Sequence, residues 1–155
     1  MTKIDVREAP AGPAVDIACA TVLGAVVYRW PNASPLAIWP DNQKTSIEPY
    51  SSSIAAAWKL ENAVEDIGEY LIALISVINW DRDLLPEDFE IGRPGMDWVL
   101  VDEDVWVLVH ATPHQRARAF LLAHGIEEVE VSDDYQDGST VVLRSVFLYL
   151  TAWWG

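Results

Sequence analysis

The chain has 155 residues, of which 51% are hydrophobic and eight are tryptophan, and its 24 acidic against ten basic residues give a net charge of −14. A chain of this length buries roughly 70% of its unfolded surface as one domain, so it needs no disulfide or metal to fold. The charge repels phosphate backbones and anionic membranes, which argues against a broad DNA- or RNA-binding face and against membrane binding.

The sequence indicates a single domain, residues 1–155, in the reducing cytoplasm. Cys19 is the only cysteine, so no internal disulfide is expected, and we predict that it is a small core residue of a helix. The first ten residues are polar and of mixed charge, unlike a signal peptide. The longest apolar run, residues 70–78, is shorter than the roughly 20 residues that span a bilayer.

The first half of the chain predicts helices separated by short strands. Residues 10–23 have helical apolar spacing, with a proline in the first turn and Gly24 at the end. Residues 25–30 and 36–39 are candidate strands. Serines at 51–53 then cap a helix, and Gly68 leaves two consecutive helices as an alternative to one. Its apolar seam consists of Leu60, Val64, Ile67, Leu71, Leu74 and Ile78.

The second half predicts an antiparallel meander followed by a helix. We expect strands at residues 89–91, 98–101 and 105–109, the last two joined by an acidic turn at 102–104. Thr112 and Pro113 begin a helix that ends at Gly125. After these elements we predict an extended segment at 127–131, a turn at 137–138, and a helix, or alternatively a strand, at 140–154.

Most enzyme signatures are missing from the sequence. No phosphate-binding Gly-x-x-x-x-Gly-Lys, dinucleotide-binding Gly-x-Gly-x-x-Gly or Gly-x-Ser-x-Gly pattern occurs. His110-Ala111-Thr112 is half of the paired His-x-Thr signature of two-histidine phosphoesterases, but neither His114 nor His124 supplies the other half. The histidines also lack metal-ligand spacing. We therefore predict no catalytic residue, metal site or cofactor, and a phosphoesterase remains an alternative.

An acid-free window at residues 105–126 suggests an anion site. It contains Arg116, Arg118 and all three histidines. The predicted helix start at Thr112 offers backbone N–H groups to an anion, and arginine can fork onto a phosphate. The alternative is that both arginines pair with the surrounding acids. The ligands predicted from this window are His110, Thr112, His114 and Arg116.

Aromatic residues crowd the first third of the chain. Flat rings can stack a nucleobase for about 1 to 3 kcal/mol per base, whereas buried tryptophans more commonly fill cores. The candidate base-binding residues are Trp39, Tyr50, Ser51 and Trp58. By contrast, the 13 acids between Glu61 and Asp104, set against two arginines, are typical of a solvated acidic face.

Three stretches of the sequence carry a family resemblance. The first joins Ala11-Gly12, Asp16-Ile17-Ala18 and Val22-Leu23-Gly24; the second joins Tyr50-Ser51 and Ile54-Ala55-Ala56-Ala57-Trp58; the third joins Ala111-Thr112-Pro113, Arg118-Ala119 and Leu121-Leu122-Ala123. In this order they resemble the phage ABA sandwich domain, a family of small proteins found largely in bacteriophage genomes. The resemblance covers residues 11–124 and leaves 125–155 as a C-terminal extension packed on this core. It implies an α/β (α+β) fold, a layered helix–sheet–helix sandwich with a small, mainly antiparallel sheet.

The resemblance also implies a setting, because small phage-encoded proteins often blunt host defence. We therefore expect a non-enzymatic protein of the host cytoplasm that sequesters a nucleotide-derived, phosphate-bearing immune signal. The alternatives are an acidic inhibitor or DNA mimic that blocks a host protein, and a phosphoesterase that degrades the signal. We also expect a homo-oligomer, first of all a dimer, because the seam and the apolar tail ending in Trp153-Trp154 exceed what a small sheet covers.

Overall fold

The computed structural model describes residues 2–28, 33–82 and 102–131, and within these ranges the chain forms five helices and five strands. This mixture confirms the predicted α+β class. The predictions at residues 89–91, 98–101, 137–138 and 140–154 lie outside the described residues. In chain order the elements are β1 (Thr2–Asp5), α1 (Pro13–Val22), β2 (Val26–Tyr28), β3 (Leu36–Ile38), β4 (Lys44–Ser46), α2 (Ile54–Asn62), α3 (Ile67–Asp81), α4 (Asp102–Val109), α5 (Pro113–Ala123) and β5 (Glu128–Val131).

The strands are antiparallel, as predicted, and they form two sheets. β1 pairs with β5, and β3 lies between β2 and β4 in a meander. The sequence predicts β2, β3 and β5 but misses β1 and β4. Both missed strands are short and mostly polar, Thr-Lys-Ile-Asp and Lys-Thr-Ser, so neither has the apolar alternation that reveals a half-buried strand.

α5 is the central helix of the core. Ala117, Ala119, Phe120 and Leu121 are fully buried, and α1, α2 and α3 all pack against this helix. The two small alanines leave room for the neighbouring helices to approach. Cys19 of α1 is buried in the same core, as predicted, and burial raises the pKa of its thiol well above the usual value.

The seam from Leu60 to Ile78 belongs to two helices. α2 ends at Asn62, and α3 begins after Asp66, whose carboxylate accepts the Glu69 N–H at 3.1 Å as an N-cap. The break therefore precedes Gly68, which is inside α3. Leu60, Leu74 and Ile78 are buried within the chain. Val64 and Leu71 are partly buried against the same core, so most of the seam needs no second copy to cover it. The predicted homo-oligomer now depends on the tail, which lies beyond the described residues.

One structural prediction in the described ranges is wrong. Residues 102–104 and 105–109 are not a turn and a strand but the helix α4. Val107 and Leu108, which a strand would point to opposite sides, both pack on the core, and Ala111, just after the helix, is buried in it. The alternating valines of this segment have high strand propensity, but this packing overrides a local preference that is worth about 1 kcal/mol or less per residue. None of the helices in the described ranges is both long and apolar enough to cross a membrane.

Candidate functional site

The predicted base-binding residues differ widely in exposure. The Tyr50 ring is buried, so it has no open face for a base. This burial is the main reason why the pKa of Tyr50 rises to about 12. Trp39 is half-buried and its indole N–H donates to Thr45 Oγ1 at 2.8 Å. Only Trp58, on α2, is well exposed, at 55%.

Ser51 has a structural partner. Its backbone N–H and its hydroxyl both donate to Asp16 Oδ1, each at 2.7 Å, and its Oγ accepts the Gly12 N–H at 2.9 Å. These bonds fasten the start of α1 to the segment before α2. Burial raises the pKa of Asp16 although the Ser51 bonds oppose that effect. The motifs around Gly12 and Ser51 that carry the family resemblance thus meet in space, where they form a largely buried hydrogen-bond network.

The start of α5 has little left to offer an anion. Thr112 Oγ1 accepts the Gln115 N–H at 3.1 Å, and Gln115 Oε1 accepts the Thr112 N–H at 2.9 Å, which is a complete capping box. Pro113 has no N–H. His114 Nε2 lies 2.6 Å from the Ala9 carbonyl oxygen, so the imidazole holds the turn that follows β1.

Arg116 is buried, and its guanidinium group is held by partners inside the chain. Its guanidinium donates to the carbonyl oxygens of Leu108, Val109 and Ala111 and forms an ion pair with Glu61 on α2. It therefore caps the carboxyl end of α4 and ties that end to α2. A phosphate at Thr112 would have to compete with all of these partners.

Arg118 forms a second buried network. It donates to Asp81 Oδ1 at 3.0 Å and Oδ2 at 2.6 Å, and to the Arg7 carbonyl oxygen at 2.5 Å. Burial would raise the pKa of Asp81, but the hydrogen bonds from Arg118 and Gln115 outweigh it and the pKa lies below its ordinary value. The alternative in which both arginines pair with acids is thus confirmed.

The predicted site residues fall into two groups. His110, Thr112, His114 and Arg116 share the junction between α4 and α5, whereas Trp39, Tyr50, Ser51 and Trp58 lie on or beside β3 and α2. In the part of the chain that the structure describes, no hydrogen bond or ring contact joins the two groups. Within the same ranges no three His, Cys, Asp or Glu side chains converge on a point that could hold a metal ion.

The exposed face of α4 is a surface that the sequence analysis missed. Val105, Trp106 and Val109 are 45%, 67% and 63% exposed. These positions fall within about 100° of arc on the helix, so they form one face. His110 continues it, because its ring stacks on Trp106 at 4.0 Å and its Nδ1 lies 2.8 Å from the Trp106 carbonyl oxygen. The strand prediction concealed this face, because a strand would have placed Val105 and Trp106 on opposite sides.

Comparison with known proteins identified no relative of the chain. No family model matches the chain, and neither a curated protein nor a solved structure matches it.

Proposed function

We propose that the chain is a non-enzymatic, acidic protein of the cytoplasm that binds and blocks a basic partner protein through the exposed face of α4. The observation that carries this proposal is the exposure of Val105, Trp106 and Val109 on one helix face. Large apolar side chains grouped on a surface favour protein contact, and tryptophan is one of the residue types enriched among binding hot spots.

Charge decides the class of partner. The chain has a net charge of −14, and two of its ten basic residues, Arg116 and Arg118, are buried in ion pairs. Acids therefore dominate what a partner meets at long range, and complementary charge speeds the encounter with a basic protein. In the setting that the sequence resemblance implies, the partner belongs to the host defence and the chain to the phage.

Sequestration of a nucleotide signal is less well supported by this geometry. That function needs free cationic groups or N–H donors at the α5 start, and Arg116, Thr112 and Gln115 already have partners inside the chain. Its remaining support is the exposed ring of Trp58, which could stack on a base. Trp106 thus tests partner-protein binding and Trp58 tests nucleotide binding, so a variant of either residue is the control for a variant of the other.

The test compares Trp106→Ala with Trp58→Ala. A photo-crosslinking amino acid at position 109, which leaves Trp106 in place on the same exposed face, first identifies a protein contact in bacterial extract. Calorimetry then measures binding of that purified protein. We expect Trp106→Ala to weaken the affinity at least about tenfold, or roughly 1.4 kcal/mol, and Trp58→Ala to change it less than about twofold. Circular dichroism confirms that both variants are folded.

The opposite pattern would support the nucleotide signal. If a panel of cyclic dinucleotides and cyclic ADP-ribose isomers contains a member that binds below about 10 μM, or near 7 kcal/mol, and Trp58→Ala but not Trp106→Ala weakens that binding, the protein-blocking proposal is wrong. Recovery of the nucleotide intact then separates sequestration from a phosphoesterase.

A further inference from the structure

A cavity of about 360 Å³ lies between α3, the end of α5 and the segments next to β1 and β5. α3 supplies Glu69, Ile72 and Ser76, whose spacing of three and four residues places them on one helix face. Leu122 and Ala123 at the end of α5 add apolar wall. The volume is at the lower end of the roughly 300 to 1,000 Å³ that small-ligand sites occupy.

Three carboxylates and one guanidinium line this cavity: Asp5, Glu69, Glu127 and Arg7. The guanidinium is already matched, because Arg7 Nε and Nη2 donate to the two Asp5 oxygens at 3.1 and 2.8 Å. The same group lies over the Trp80 ring, 4.5 Å from its centroid. Arg7 and Asp5 therefore neutralise each other.

Among the described residues, Glu69 and Glu127 have no matching cation. Neither carboxylate forms an ion pair or a side-chain hydrogen bond with the described part of the chain. Glu127 acts on Arg7 only at a distance, adding to a rise in the pKa of Arg7 whose main cause is the hydrogen bond to Asp5. The cavity thus combines two unpaired negative charges with an apolar wall.

From this combination we propose that the cavity binds a primary alkylammonium group, with its aliphatic stem along Ile72 and Leu122 and its charge between Glu69 and Glu127. An ammonium has three donors that can reach carboxylates on different elements, whereas the planar guanidinium fork suits a single carboxylate. Two sources carry this chemistry: a lysine side chain of the basic partner, which rests on the proposed function, or a free aliphatic amine, which does not.

The first experiment uses acetyl-lysine methylamide as the probe and acetyl-norleucine methylamide, which lacks the ammonium, as its control. Backbone amide spectra of the whole chain are recorded by NMR during titration at 0.1 M salt. We expect saturable shifts of amides around Ser76 and Ala123 with the lysine probe alone. Because these carboxylates are exposed, Glu69→Gln and Glu127→Gln should each weaken binding about threefold to fivefold, and the double variant should abolish the saturable shifts.

Glu65→Gln is the matched control variant. It removes the same charge from the exposed segment between α2 and α3, outside the cavity lining. Equal weakening by Glu65→Gln would show that the probe only senses the overall charge, and shifts that fail to saturate would show that no site exists. Either result overturns the inference.

The two sources are separated with the partner protein that the crosslinker at position 109 identifies. If the double variant Glu69→Gln/Glu127→Gln weakens binding of the partner as well as binding of the probe, the site receives a lysine of that partner. If only the probe is affected, the ligand is a free amine. Failure of probe binding while the Trp106-dependent affinity persists contradicts this inference alone, whereas the reverse contradicts the proposed function alone.

Discussion

The imidazole of His114 links α5 to the turn after β1. Since its partner is the Ala9 carbonyl oxygen, Nε2 must carry the proton that is donated. Burial and then the nearby charge of Arg118 lower the pKa of His114 from 6.5. The unfolded chain therefore takes up a proton at a higher pH than the folded chain. It follows that this residue costs stability as the pH falls through about 6.5 towards the folded pKa.

We predict that His114→Gln lessens the loss of stability on acidification, because glutamine can donate to the Ala9 carbonyl oxygen but does not titrate. Urea denaturation at pH 7.5 and pH 5.5 gives the difference in unfolding free energy for each protein. His124→Gln, near the end of α5, is the matched control. An identical loss between the two pH values in wild type and in His114→Gln would contradict the prediction.

For single side chains, the sequence revealed which residue types are present but not which groups they bind in the fold. The acid-free window drew attention to Arg116 and Arg118, yet their carboxylates lie 55 and 37 positions away along the chain. No local pattern tells a free arginine from one that closes such a pair. Both outcomes stood as alternatives in the sequence, and only the packing of α2 and α3 on α5 chose between them.

Among the elements, those with strong end signals were predicted best. Thr112 with Pro113 and the serines before α2 mark helix starts through their own chemistry, which does not depend on the rest of the fold. α4 was wrongly predicted as a strand because the valine pattern can be seen in the local sequence, whereas the contacts of Val107 and Leu108 with the core involve residues far away along the chain. The face proposed for partner binding was hidden by that same error.

The separation of α2 from α3 gives a prediction for these elements. Asp66→Ala removes the carboxylate that accepts the Glu69 N–H and should destabilise the chain by about 1 kcal/mol. Asp66→Asn keeps a side-chain oxygen at the same position and should cost much less. Thermal denaturation of the two variants provides the comparison. Equal melting temperatures would mean that Asp66 does not fix the start of α3.

For the whole molecule, the net charge and the α+β fold class could be predicted from composition and residue patterning, whereas the oligomeric state could not. Half of the seam that suggested a second copy is buried inside one chain, at Leu60, Leu74 and Ile78, and two of its other residues pack partly buried against the core. We retain the prediction of a dimer on the strength of the apolar tail. Light scattering at micromolar concentration checks it, and a monomer at every concentration would contradict it. A dimer that Trp106→Ala dissociates would assign the α4 face to a second copy and not to a foreign partner.

The pairing of β1 with β5 has a consequence for how the chain is made. Asp5 pairs with Glu128 and Thr2 with Val131, so the two strands are far apart in sequence. At typical rates of synthesis, β1 leaves the ribosome on the order of ten seconds before its partner. During that interval its backbone N–H and C=O groups have no sheet partner, and Arg118 and His114 have yet to reach the turn behind it. We therefore expect the β1–β5 sheet to form late, after translation has delivered α5 and β5.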